Sequence, residues 1–179
     1  EAPPAVGLGT WKASPEEVKG AVVTALKSGY RHIDTALVYD NETAVGEGIR
    51  EGLKHTALQR KDIWVTGKLW CTMHRPGKVE EACRGTLEAL GLEQLDLYLI
   101  HWPVAMLEGD NHFPKADDGS ILLQPGVTLL DTWRAMERLV DEGLTRHIGV
   151  SNFTCGLMVQ ILQACRIRPL VNQIELHPF

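Results

Sequence analysis

The stretch GYRHIDTALVYDNETAVG, residues 29–46, places charge where a core strand should run. Arg31, His32 and Asp34 interrupt the apolar pattern, and Tyr39 follows five residues after the aspartate. Asn41 then suits a helix N-cap, and Ala44, Val45, Ile49 and Leu53 recur on one helical face. A short strand that ends in a carboxylate and leads into an amphipathic helix reads as one βα unit.

Working outward, the same unit recurs. Before it, PAVGLGT is a short first strand, and KASPEEVKGAVVTALKSGY is a helix with Ser14 as N-cap, Pro15 at its first position, Glu17 completing a capping box and Gly29 ending it. After it, DIWVTGK is a strand, and Pro76 opens a helix carrying Val79, Ala82, Cys83, Leu87 and Leu90, closed by Gly91. LDLYLIHW is apolar on both faces, as a buried parallel strand should be. A polar stretch from Glu108 to Pro125 predicts a long loop, and Trp133, Met136 and Val140 mark the inner face of a helix from Leu129 to Glu142. RHIGVSN is the fifth strand, Leu157, Met158, Ile161, Leu162 and Cys165 mark a further helix, and LVNQIELHP begins a sixth strand.

Strict alternation of strands and helices predicts a parallel sheet with helices outside. An open doubly wound sheet with a dinucleotide fingerprint wants G-x-G-x-x-G after its first strand, and VGLGTWK offers only Gly7 and Gly9. A (β/α)8 TIM barrel instead predicts functional residues at the C-terminal ends of several strands. Asp34, Lys68, His101, Ser151 with Asn152, and Gln173 with Glu175 all fall at that end. A barrel of roughly 250 residues spends about 31 on each unit. The 179 residues therefore predict a single domain, 1–179, holding about the first six βα units of an incomplete barrel that belongs to a longer protein.

Composition narrows the class. The chain is 44% hydrophobic and 23% charged, as soluble globular proteins are, and its net charge of −5 offers no basic face for nucleic acid. No apolar run reaches the roughly 18 residues of a membrane span, and no signal peptide is expected. Cys71, Cys83, Cys155 and Cys165 lack paired spacing, so reduced thiols in a cytoplasmic protein are expected.

The rim residues suggest their chemistry. A lysine at the inner end of an apolar strand needs a partner, and Asp34 is the natural one for Lys68; charges about 4 Å apart at an effective dielectric of about 20 attract by about 4 kcal/mol. The same ammonium beside Tyr39 would favour the phenolate left after proton donation, making the hydroxyl a usable general acid. His101 could hold a carbonyl oxygen through a neutral imidazole N–H. Ser151, Asn152 and Gln173 suit a planar amide such as the carboxamide of nicotinamide, and Trp11, Trp70 and Trp102 could wall an apolar pocket. Simpler roles fit some of these residues singly: Asp34 could pair with Arg31, and Ser151–Asn152 could cap the following helix.

GYRHIDTALVYDNETAVG and IGVSNF resemble the two signatures of the aldo-keto reductase family, and GLGTWK, GKLW, LDLYLIHWP and VNQIELHP fit it strand by strand. Within that family the chain is most similar to aldehyde and aldose reductases, the loop GDNHFPKADDG included. The resemblance implies NADPH-dependent reduction of an aldehyde or ketone by a monomer. It puts Asp34, Tyr39, Lys68 and His101 on the catalytic tetrad. It puts Thr10, Trp11, Asp34, Ser151, Asn152 and Gln173 on the cofactor, and Trp11, Val38, Trp70, His101, Trp102 and Phe113 on the substrate pocket. No metal is implied. The chain departs from the family at Gly67, where a hydroxyl residue usually precedes the lysine, and nothing in it matches the segment that grips the adenosine 2′-phosphate.

Three rival readings use the same rim. A Schiff-base aldolase would use Lys68 as nucleophile. A metal hydrolase would use His101, Asp34 and His177, with Lys68 repelling the cation. A non-catalytic nucleotide-binding or structural member of the same fold would bind NADPH without turnover. His32, His147 and His177 are expected to be structural.

Overall fold

A computed structural model describes residues 2–178; Glu1 and Phe179, the ends of the predicted domain, lie outside the described residues. Six parallel strands form one sheet in chain order: β1 (Leu8–Gly9), β2 (His32–Asp34), β3 (Trp64–Leu69), β4 (Leu95–Ile100), β5 (Thr145–Ser151) and β6 (Asn172–Gln173). Helices α1 (Pro15–Lys27), α2 (Glu42–Lys54), α3 (Pro76–Leu90), α4 (Leu129–Asp141) and α5 (Cys155–Ala164) fill the crossovers between successive strands. The arrangement is the incomplete (β/α)8 barrel expected from the alternation.

Local signals set the helix ends. Ser14 and Glu17 form the capping box of α1, Thr128 and Asp131 form that of α4, and Gly91 closes α3 in the left-handed conformation. Asn41 occupies the N-cap position of α2, but its side chain makes no cap bond. Its amide instead donates to the carbonyls of Thr10 and Ala13, tying the β1–α1 loop to the start of α2. Two carbonyls left over by a tight loop outcompete the local cap. Nor does Ser151–Asn152 cap α5; Thr154 does, its hydroxyl accepting from the Leu157 amide.

The two edge strands are shorter than their sequence suggests, two residues each. Each has a ladder on one side only, whereas β3 and β4 pair on both sides and are buried throughout. The stretch from Glu108 to Pro125 lacks regular strands but is ordered as a fold-back: antiparallel bridges join Met106 to Leu123 and Lys115 to Ile121. Of α5's expected inner face only Ile161 is buried; Leu162 stays exposed and Cys165 lies past the helix end.

The outer core lies between sheet and helices, with Val65, Leu69, Tyr98, Ile100, Ile148 and Val150 meeting Val22, Ile49, Val79, Leu87 and Trp133. Inward, Trp64, Leu97 and Leu99 form a smaller cluster below the rim. Two of the three histidines expected to be structural occupy this layer: His32 shares a hydrogen bond of 2.9 Å with Thr66, and His147 stacks on Trp64; the third, His177, is exposed and meets Glu175. Helix α2 approaches α3 so closely that a Cβ on Gly46 would stand 2.3 Å from the Leu90 carbonyl oxygen.

That contact yields a test. An alanine in an open helix interior would gain up to about 1 kcal/mol over glycine. Against immovable backbone it forces the helices apart, and Gly46→Ala should cost on the order of 2 kcal/mol or more. Urea unfolding of the variant measures this, and unchanged or increased stability would show that α3 can retreat freely.

Candidate active site

The site is built at the C-terminal ends of the strands, around one buried cation. Lys68, on the inner face of β3, is 1% exposed. Its ammonium has three donors and spends them on three acceptors from the end of β2: an Asp34 carboxylate oxygen, the Thr35 carbonyl at 3.1 Å and the Tyr39 hydroxyl at 3.2 Å. Lys68 thus meets Asp34, while Arg31 donates to the carbonyls of Leu26 and Tyr30. The Tyr39 oxygen accepts from the lysine, so the tyrosine's own proton remains free to be donated elsewhere.

Tyr39 reaches this position because the chain leaves β2 into a 3-10 turn, Leu37–Tyr39, that ends at Asp40 in the left-handed conformation. Thr10 is buried behind Asp34: its hydroxyl and amide both donate to the Asp34 carbonyl. From the far strand, the Gln173 side-chain amide donates to the second Asp34 carboxylate oxygen at 2.8 Å. With Lys68 on one oxygen and Gln173 on the other, both carboxylate oxygens are held.

His101 lies just past β4, its ring edge-on to Tyr39 at 5.7 Å and to Trp70 at 5.2 Å. Burial, reinforced by the Lys68 ammonium, pulls the imidazole down to about 4. It is neutral near pH 7, and its buried Nδ1 finds no partner among the described residues. An N–H there would be orphaned, which leaves the single ring proton for Nε2.

These groups open onto a trough of about 940 Å³. Trp11, Val38, Tyr39, Trp70, His101, Trp102 and Phe113 line one part of it, and Ser151, Asn152 and Gln173 another. Every residue expected in the pocket therefore lines this space. Trp11, Trp102 and Phe113 are 65%, 46% and 48% exposed and offer apolar surface, although the Lys12 ammonium lies 4.3 Å from the Trp11 ring centre. At the amide end, Ser151 donates to the Gln173 carbonyl, and Asn152 donates to the His101 carbonyl and to Ser151. Asn152 holds a left-handed conformation, φ 62°, that lets its side chain turn back this way. The Gln173 amide oxygen makes no hydrogen bond among the described residues, an acceptor suited to an amide N–H₂. Seating an amide carbonyl there would require Ser151 or Asn152 to exchange an internal bond.

Sequence reasoning missed some contributors. The Thr35 carbonyl is a backbone group and carries no side-chain signal. Asn41 had a signal, but a misleading one. Ile174 also lines the trough, directly after Gln173; Glu175, which the sequence does place on the rim, lines it too.

The chain matches the Aldo/keto reductase family over residues 5–179. It is 52% identical to aldo-keto reductase family 1 member A1-A of Danio rerio, covering 98% of this chain and 54% of that protein. It is 49% identical to a D/L-glyceraldehyde reductase of Hypocrea jecorina, covering 98% and 53%. An aldose reductase structure from Giardia lamblia superposes with a TM-score of 0.95 at 50% identity, over 98% of this chain and 58% of that one. The chain belongs to the aldo/keto reductase family, and it spans about half the length of the curated relatives it matches. None of its described helices is long and apolar enough to cross a membrane.

Burial of ionisable groups sets an acid limit on stability. His74 and His101 both fall from 6.5 to about 4 on burial, so below pH 6.5 the unfolded chain binds protons that the fold refuses. Their contribution is lost as pH falls toward 4. Buried Glu42 rises from 4.5 to about 7, so its contribution is complete below 4.5 and lost as pH rises toward 7. Two histidines outweigh one carboxyl of similar shift. Unfolding free energy should thus be about 2 kcal/mol lower at pH 4.5 than at pH 6.5. Urea unfolding at the two values measures it, and His74→Leu should remove about half the histidine share. A protein equally stable at both would contradict these shifts.

Proposed function

We propose that residues 1–179 form a single partial barrel domain carrying the catalytic end of an NADPH-dependent carbonyl reductase, with Tyr39 as the proton donor. The observation that carries this reading is the Lys68 ammonium, which donates to Tyr39 and Asp34 together while leaving the tyrosine proton unshared.

An aldehyde or ketone fits with its carbonyl oxygen between the Tyr39 hydroxyl and His101 Nε2, its apolar part against Trp11, Trp70, Trp102 and Phe113. Ser151, Asn152 and Gln173 suit the carboxamide of a nicotinamide, by the free Gln173 oxygen and the exchangeable bonds beside it. A reduced nicotinamide, when bound, supplies the hydride that the carbonyl carbon accepts. Tyr39 gives its proton to the carbonyl oxygen, which completes the alcohol. Lys68 holds the resulting phenolate, and Asp34 holds Lys68. Neutral His101 donates a hydrogen bond to the oxygen as charge develops and does not compete as a proton source. NADPH rather than NADH, and a monomer, rest on the family alone, and a cytoplasmic location rests on the four free cysteines. The relatives' names point to aldehydes as the substrate class.

Tyr39→Phe should lower kcat roughly 10²–10⁴-fold, the range of general acid catalysis, with NADPH affinity by fluorescence titration nearly unchanged. Near-normal turnover would remove Tyr39 from the acid role. An unmodified protein that binds NADPH without oxidising it in the presence of an aldehyde panel would replace the reductase by a nucleotide-binding protein.

Lys68→Met should be about as inactive as Tyr39→Phe, because the phenolate then loses its adjacent cation. Asp34→Asn should be impaired less, since the amide oxygen can still accept from the lysine. A pH–rate profile that Lys68→Met leaves in place would contradict the electrostatic role.

A further inference from the structure

We propose that Asp40 and His112 form a latch that fixes the far wall of the carbonyl pocket and thereby sets its preference for aromatic and other bulky apolar aldehydes. The inference rests on the reductase reading above and adds to it two residues which that chemistry does not use.

Asp40 follows Tyr39 directly and ends the 3-10 turn at φ 55°, a conformation that aspartate and asparagine tolerate well. Its carboxylate lies 3.4 Å from Nε2 of His112, an ion pair when the imidazole is protonated. His112 sits on the fold-back between β4 and α4, on the limb between the bridge residues Met106 and Lys115. A second anchor holds the same segment from the other side: Trp70, just past β3, donates from its indole N–H to the His112 carbonyl at 2.7 Å. The next residue, Phe113, packs edge-on against Trp70 with ring centroids 5.3 Å apart, and its amide bonds to the Asn111 side chain.

One dipeptide, His112–Phe113, is therefore fastened both to the Trp70 end of β3 and to the turn that bears the proton-donating tyrosine. Between the two bridges, Asp110 and Asn111 just before it are exposed. Without the Asp40 contact, His112 keeps only the Trp70 anchor outside the fold-back, while within it Pro114 stays bonded to Leu122 and Lys115 to Ile121. Phe113 is half-exposed and lines the apolar wall of the trough beside Trp70, whose ring in turn meets His101. A short hydroxyaldehyde placed between Tyr39 and His101 does not need that wall. An aromatic aldehyde in the same place must rest its ring on it, so the position of Phe113 decides how well it binds. The latch acts on binding of the large substrate and leaves the proton-transfer geometry of Tyr39, Lys68 and Asp34 in place. Asp40 and His112 are positioning residues in this sense.

The test uses the full-length protein, with Asp40→Asn, which keeps the left-handed turn, with His112→Gln, and with both together. Two readouts are taken: amide hydrogen exchange of the segment from 110 to 114, and KM and kcat for benzaldehyde and for glyceraldehyde. Each single variant should speed exchange in that segment. It should also raise KM for benzaldehyde about two- to fivefold, the range open to an exposed ion pair, with kcat and the glyceraldehyde constants unchanged. The double variant should be no worse than either single one. High salt should bring the unmodified protein's benzaldehyde-to-glyceraldehyde KM ratio to the variant level and leave the variants unmoved. Unchanged exchange, additive effects in the double variant, or equal losses for both aldehydes would overturn the proposal. If the unmodified protein turned over neither aldehyde, the reductase reading and the specificity role resting on it would fall, and the exchange result alone would decide the physical latch.

Discussion

The constraint on which the rest of this structure depends is the burial of the Lys68 ammonium. A cation that is 1% exposed must have its charge and all three N–H groups satisfied, or the fold bears a desolvation cost of several kcal/mol. All three acceptors come from one short segment, Asp34 to Tyr39. The exit from β2 is thus required to bend at once, so that a carboxylate, a carbonyl and a phenol converge on one point. The 3-10 turn Leu37–Tyr39 provides that bend, and Asn41 pins its far end to the β1–α1 loop. The polar residues that interrupt the apolar pattern of residues 29–46 are there because β3 delivers a lysine opposite them.

The same demand explains why helix packing in this region is so close. Turn and helix α2 are continuous with the tetrad, so the position of Tyr39 is only as firm as α2. Gly46, Gly48 and Gly52 let α2 approach the Leu90 carbonyl, the Lys19 carbonyl with Val22, and Leu26, respectively. Gly67 serves likewise on the outer side of β3. A Cβ there would meet Leu95, Thr86 and Tyr98 at 3.1–3.3 Å, so the missing hydroxyl residue is a space already filled by its neighbours. Glu42, at the first position of α2, is buried among these groups with a bond from Thr86, and burial pushes its carboxyl up to about 7.

What was legible in the sequence divides along physical lines. Helix ends written in side-chain chemistry, such as Ser14–Glu17 and Pro76 with Gly91, read directly, because each rests on contacts within a few residues. The rim read well because a charged residue at the end of an apolar strand violates the pattern around it. Contacts made across the fold did not read. Asn41 has the type of an N-cap, yet its amide is claimed by carbonyls 28 and 31 residues away. The Thr35 carbonyl has no side-chain signature at all. Strand lengths at the edges misled for the opposite reason: the residues of PAVGLGT and LVNQIELHP suit strands, but a ladder on one side only does not extend them.

One bond also reports the curvature of the whole sheet. Gln173 on β6 donates to Asp34 on β2 at 2.8 Å, although four ladder steps separate these strands in the sheet order. Neighbouring strands lie about 4.8 Å apart, so in a flat sheet the two backbones would be roughly 19 Å from each other, beyond the reach of a glutamine and an aspartate together. The sheet must therefore curl until its first and last members face one another across the interior. Curling at this rate is what a barrel requires. It also means that the amide cluster of Ser151, Asn152 and Gln173 meets the Lys68 cluster only because the strands between them carry enough inward-facing bulk to hold the curve. Trp64, Thr66, Leu97 and Leu99 supply that bulk one layer below the rim, with His32 and His147 beside them. His32 and His147 are thus part of the floor on which the proposed chemistry stands.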